Sequence, residues 1–236
     1  MQFHTTGIVL AALTVVSAAS AQSTQAVEWK VSEGGNGHWY RVYNSLLAWP
    51  QASQFAFEHG GHLVTESNAA EKDFVWSVAS PIVSPQPFWI GAFQPSGSCE
   101  PGCGWRWVTE ESFGYTNWKW DEPNNNTVNG NEDAICTNGS NLWNDLTGNA
   151  QIAFVIEWSA DCNSDGSVDY GQIRRGELAD LNGNGVPDVC EISVSGVTPP
   201  SVPSQGGSTI TIRGTNFQGT PSVKIGGVAA TNVVTV

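Results

Sequence analysis

Glu122, Asn124, Glu132, Asn144 and Asp145 place five oxygen-bearing side chains in one stretch of the chain. Carboxylates and amide carbonyls are the donors a hard divalent cation selects, and calcium takes about six to eight of them at ~2.3–2.6 Å. Glu122 and Asn124 flank Pro123, and a cis bond before that proline would turn both side chains to one side. The chemistry expected of this stretch is coordination of Ca2+.

The same donor types recur downstream at a fixed spacing. Asp161, Asn163, Asp165 and Asp169 occupy positions 1, 3, 5 and 9 of a loop, with Gly166 at position 6 and Gln172 at position 12. Asp180, Asn182, Asn184 and Asp188 repeat the pattern, with Gly185 at position 6 and Glu191 at position 12. This is the EF-hand loop grammar: glycine makes the sharp turn, position 7 offers a backbone carbonyl (Ser167 or Val186), and position 12 closes the shell. Gln172 is the weaker closing ligand. Residues 122–191 hold 12 acids against only Arg174 and Arg175, so most of the chain's formal charge of −13 lies here.

The elements that must position these donors can be read from periodicity and punctuation. Trp49-Pro50 opens a helix through Ala52, Phe55 and Ala56, with proline tolerated in the first turn, and Gly60-Gly61 stops it. Asn68 and Glu71 form a capping pair for a second helix through Phe74, Val75 and Val78. After Pro87 the helical period disappears. Short aromatic strands follow at Phe88–Phe93, Gly104–Val108 and Ile152–Trp158, separated by Gly- and Asn-rich loops. Two helices followed by short antiparallel strands read as α+β over residues 27–158. Only Gln172–Ala179 can be helical in the acidic stretch at 159–191. Trp105, Trp107, Trp118 and Trp120 could stack on a ligand face, but core is the better expectation for most of them.

Gly60-Gly61-His62-Leu63-Val64, Trp89-Ile90-Gly91-Ala92, Glu122-Pro123-Asn124, Glu132-Asp133 and Trp143-Asn144-Asp145 occur in the order of the C-type lectin domain, which residues 27–158 resemble. The resemblance implies a cis proline at Pro123 whose neighbours bind calcium and hydrogen-bond a sugar, and a further ligand from the backbone carbonyl of Asp145. Two vicinal hydroxyls of a carbohydrate ligand would enter the ion's open positions. Carboxylates would accept the hydroxyl protons and Asn amides would donate. In the family, Glu-Pro-Asn goes with mannose-, glucose- or fucose-type sugars, and Gln-Pro-Asp with galactose. Asn125 stands where an acidic ligand of a second calcium often sits, so one ion is expected. The family's four usual cysteines are replaced by Ala56, Ile156, Ala134 and Gly148. These departures point to a bacterial-type member.

Residues 159–191 resemble dockerin and thrombospondin type 3 calcium repeats, and are read as a calcium-stiffened connector. Residues 192–236 resemble the start of an immunoglobulin-like IPT/TIG domain, a partial all-β segment with strands beginning at Ser208 and Ser222. At the other end, an apolar run from Gly7 to Ala19 and Ala19-Ser20-Ala21 read as a signal peptide over residues 1–21, although His4 is its only basic group. A secreted or cell-surface protein follows from it, in an oxidising compartment. There, Cys99 is expected to pair with Cys103 and Cys162 with Cys190, leaving Cys136 free.

Composition excludes some classes. No basic stripe exists to neutralise phosphates, so nucleic acid is not an expected partner. No segment after the leader is long and apolar enough to be read as a membrane span. No nucleophile elbow, phosphate loop or zinc-spaced Cys/His cluster appears, and calcium ligands such as Glu132 must stay ionised, so no enzyme is expected. The reading is a calcium-dependent carbohydrate-binding protein. The alternatives are a non-lectin adhesion or structural protein contacting other extracellular proteins, or an accessory region of a larger extracellular enzyme.

Overall fold

The alternation of Tyr40 and Val42 with Trp39, Arg41 and Tyr43 makes a half-buried strand that opens the main sheet. A computed structural model describes residues 25–203, 207–217, 223–225 and 228–233. The expected signal peptide at 1–21 lies outside the described residues. In chain order come β1 (Val27–Glu28), β2 (Trp39–Leu47), α1 (Trp49–Glu58), β3 (His62–Leu63), α2 (Ala69–Val83), β4 (Phe88–Phe93) and β5 (Arg106–Trp107). Then follow β6 (Ala134–Thr137), β7 (Trp143–Leu146), β8 (Ile152–Trp158) and α3 (Asp169–Arg175).

These strands form one sheet in the order β1-β2-β8-β4-β6-β7, with β3 on β8 and β5 on β4. Every pairing is antiparallel except β4 with β8. β8 is central and buried on both faces, which is why Ile152–Trp158 reads as a nearly continuous apolar run. Ala153 and Val155 enter one core cluster with Val75, Ala79 and Val83 of α2. Phe154, Ile156 and Trp158 enter a second with Ala52 and Ala56 of α1. The two faces of the sheet are thus covered by different helices. The architecture is α+β.

Both helices keep their sequence signals. Pro50 sits in the first turn of α1, and Gly60 takes a left-handed backbone (φ 71°) just past its end. The Asn68 side chain caps α2 by accepting the Glu71 N–H at 3.0 Å. Of the expected strands, Phe88–Phe93 and Ile152–Trp158 coincide with β4 and β8, whereas Gly104–Val108 contracts to the two residues of β5.

The acidic stretch differs from the sequence reading. Its helix starts at Asp169 rather than Gln172 and ends at Arg175 rather than Ala179, because Gly176 takes a left-handed cap (φ 74°). It is also no free spacer. Tyr170 stacks on Trp158 at 4.1 Å between ring centres and meets Trp39 edge-on at 6.0 Å. The Arg174 guanidinium lies over Trp39 at 5.7 Å. Gly185 packs closely enough on His59 that a side chain there would collide with the His59 carbonyl.

Beyond it, β9 (Ser193–Thr198) pairs with β10 (Thr211–Thr215), and β11 (Lys224–Ile225) pairs with β12 (Val228–Ala229). The expected strand from Ser208 begins instead at Thr211, and Ser222 of the next lies outside the described residues. Among the described residues, no helix is long and apolar enough to cross a membrane.

Candidate metal-binding site

β6 and β7 form the floor from which the donor loop hangs, with Cys136 opposite Asn144 and Ile135 opposite Asp145. Trp143 anchors the arrangement. Its ring is fully buried against Trp107, Phe113, Tyr115 and Trp118. Its backbone carbonyl accepts Lys119 N–H at 2.9 Å, and its N–H reaches Asn117 O at 2.8 Å. The loop carrying Glu122, Pro123 and Asn124 therefore leaves from a fixed edge, and the bond before Pro123 is cis.

The donors are joined by short hydrogen bonds. Both Asp145 carboxylate oxygens accept Asn124 N–H at 3.1 Å, and Oδ2 also accepts Asn125 N–H at 2.8 Å. Glu132 Oε2 accepts Asn126 N–H at 2.7 Å, while Glu132 N–H donates to Asn125 Oδ1 at 3.0 Å. The Asn144 amide donates to the backbone carbonyl of Asp145. Asp145 thus folds the Glu122–Asn125 segment onto β7. Each of the five expected donors is in this one network or touches it, as Glu122 does through Asp145.

The electrostatics of the network suit a cation. Burial, the neighbouring Asp145 carboxylate and the charge of Asp121 push Glu122 up to about 7, with Lys119 opposing. Burial also raises Glu132, partly offset by the Asn126 N–H and reinforced by Asp145. Glu122 Oε2 is buried without a hydrogen-bond partner. Crowded carboxylates, an orphaned oxygen and an all-oxygen donor set fit a hard divalent ion. Glu122, Glu132 and Asp145 do not form one of the described His/Cys/Asp/Glu groups of three within 4.8 Å. Half of the set is amide and backbone oxygen, and Asp145 directs its carboxylate to the loop N–H groups.

The two downstream loops superpose in their hydrogen bonding. In the first, Asp161 accepts the N–H of Asp165 and Gly166; in the second, Asp180 accepts those of Asn184 and Gly185. Asp169 accepts Cys162 N–H at 2.9 Å, and Asp188 accepts Leu181 N–H at 3.0 Å. At position 5, Asp165 and Asn184 accept the N–H of Ser167 and Val186. At position 12, Gln172 donates to Asp165 at 2.7 Å, whereas Glu191 accepts from Asn182 and Asn184 at 2.9 and 2.6 Å. Position 3 shares in the turn through Asn163 and Asn182, each accepting the N–H two residues on. In the first loop Asp169 Oδ1 and Gln172 Oε1 are buried without partners.

Cys99 is bonded to Cys103 and Cys162 to Cys190, while Cys136 is buried and free. At the positions lacking the usual cysteines, Ala56 and Ile156 are buried in one apolar cluster, and Gly148 lies beside Ala134. One polar centre was not read from sequence. His38 Nδ1 lies 2.6 Å from Glu157 Oε1, and Tyr40 O–H donates to Glu71 at 2.9 Å. Thr65 and Ser67 supply N–H and hydroxyl donors to Glu157 and Glu71 respectively. Burial opposes it, but the His38 bond and nearby histidine charge hold Glu157 low. Its members come from three distant segments, 38–40, 65–71 and 157, and only the acid within the apolar run of β8, Glu157, hinted at it.

A family model described as the Lectin C-type domain matches residues 45–156, and one described as the IPT/TIG domain matches residues 193–236. Human C-type lectin domain family 17, member A, is 29% identical over 126 residues, 53% of this chain and 31% of that protein. A coagulation factor IX/factor X-binding snaclec subunit B3 from Trimeresurus stejnegeri is 32% identical over 84 residues, 35% of this chain and 62% of that one. The echicetin subunit beta of Echis carinatus sochureki, another snaclec, is 30% identical over 93 residues, covering 39% and 70% respectively. The chain therefore spans less than two thirds of the first two relatives.

Proposed function

This chain belongs to the C-type lectin domain family, and from that premise we propose that it is a secreted, calcium-dependent carbohydrate-binding protein for mannose-, glucose- or fucose-type sugars. The observation that carries the reading is the network in which Asp145 holds Asn124 against β7, beside a Glu122 whose inner oxygen has no partner. Glu122, Asn124, Glu132, Asn144 and the Asp145 carbonyl would hold calcium, which supplies open coordination positions for two vicinal hydroxyls. Glu122 and Glu132 accept the hydroxyl protons, and Asn124 and Asn144 donate to the hydroxyl oxygens. The acceptor-then-donor order of Glu122 and Asn124 favours an equatorial 3,4-type diol.

The loops at Asp161–Gln172 and Asp180–Glu191 are proposed as two further calcium positions that brace the domain. Secretion rests on the apolar leader at 1–21 and agrees with the two disulfides. A glycan array with 2 mM calcium and again with chelator tests the central reading. Calcium-dependent retention of mannose-type glycans supports it; retention that survives chelation, or no glycan retained, removes it. A second reading, contact with a protein partner, is favoured by the relative named for binding coagulation factors. An empty array together with calcium-dependent capture of an extracellular protein would support that reading.

A further inference from the structure

Of the eleven tryptophans, ten are buried or half-buried and Trp120 alone is exposed, at 90%. Its neighbours show where an indole in this stretch otherwise goes. Trp105 and Trp107 are buried, and Trp118 packs on Trp105 at 5.3 Å and on Trp143 at 5.7 Å. Packing does not explain Trp120. Single exposed apolar residues are ordinary on a protein surface, so its placement has to carry the argument.

The backbone that carries it is fixed. Trp120 is the second residue of a four-residue turn closed by Glu122 N–H to Lys119 O at 2.9 Å. The turn's first residue is bound to β7 through Lys119 N–H to Trp143 O, and Lys119 Nζ reaches the Asp121 carboxylate at 2.8 Å. The last residue of the turn is Glu122, the first of the proposed hydroxyl-binding carboxylates. The backbone of this turn is thus fixed, and the indole it carries stands in water two residues from a site proposed for sugar hydroxyls.

We infer that Trp120 is a stacking platform for a second sugar residue, one linked to the pyranose whose diol is held at Glu122 and Asn124. The inference rests on the sugar reading above and narrows the ligand class from monosaccharides to oligosaccharides. A pyranose presents a face of C–H groups. Indole offers it the largest flat apolar surface among side chains, at a small entropy cost because only two torsions must be fixed. The covered face of each ring is removed from water, while the hydroxyls at the sugar's edge stay hydrated.

The test is calorimetric titration of the full chain in 2 mM calcium with methyl α-mannoside and with α-mannotriose, for wild type, Trp120→Ala and Trp120→Phe. Thermal melts check that the variants are folded. The expected result is a wild-type preference for the trisaccharide of about tenfold, the size of one stacking contact. Trp120→Ala should abolish most of that ratio and Trp120→Phe should retain most of it. A ratio unchanged in Trp120→Ala overturns the inference, whether both affinities hold or both fall together, as does a wild-type ratio near one. If wild type binds neither sugar in calcium, the sugar reading itself fails and takes the inference with it.

Discussion

Glu122 is where the chemistry of the site concentrates. It closes the Lys119 turn, meets Asp145 and keeps one oxygen without a partner. Exchanging the acceptor and the donor on either side of Pro123, as Glu122→Gln with Asn124→Asp, should move preference from mannose-type toward galactose-type diols. Competition with the two methyl glycosides reads this out, and an unchanged preference would speak against direct coordination by the pair. Glu66 gives a different prediction. It is fully buried, and burial pushes its carboxyl up to about 8 despite the Trp143 indole N–H on Oε2. The unfolded chain releases this proton near pH 4.5 and the folded chain retains it to about 8. Stability should therefore fall as pH rises through that window, by up to about 1.4 kcal/mol per unit from this group. Glu66→Gln should flatten that slope in denaturant titrations at pH 5.5 and 8; an equal slope would remove Glu66 as the cause. The five candidate donors can be picked out as residue types, whereas the partners of Asp145 cannot: its contacts lie 20 and 21 residues away and depend on how the loop folds back.

Among the elements, α1 and α2 were readable because their signals are local: proline in a first turn, glycine after a last turn, and Asn68 three residues before the N–H it caps. The docking of α3 was not. Tyr170 stacks on Trp158 because the first acidic loop turns the chain back onto β8, and no local pattern announces that contact. Tyr170→Ala should lower stability by about 2 kcal/mol through lost aromatic burial, measured by urea unfolding. A loss within error would mean the segment is merely tethered. The Cys162–Cys190 bridge closes a long loop, with a sequence separation of 28. Replacing both cysteines with serine should cost about 3.6 kcal/mol on the chain-entropy view. The loss should be smaller in calcium if the two loops hold the segment by themselves.

For the whole molecule, the formal charge of −13 acquires a spatial meaning. The acids that dominate it lie in the candidate metal-binding stretch and in two loops with the same internal hydrogen bonding, one of which lies against the domain at Gly185 and His59. Cation binding at all three would relieve repulsion and stabilise the native chain by mass action. Calcium should therefore raise the melting temperature by several degrees, and Asp180→Asn with Glu191→Gln should remove part of that rise. An identical calcium increment in the double variant would exclude the second loop. The most direct test of the central claim is a crystal structure of the chain with calcium and methyl α-mannoside. One ion is expected at ~2.3–2.6 Å from oxygens of Glu122, Asn124, Glu132, Asn144 and Asp145, with two vicinal sugar hydroxyls completing its shell. A sugar seated away from those residues, or none bound while that site holds no ion, would contradict it.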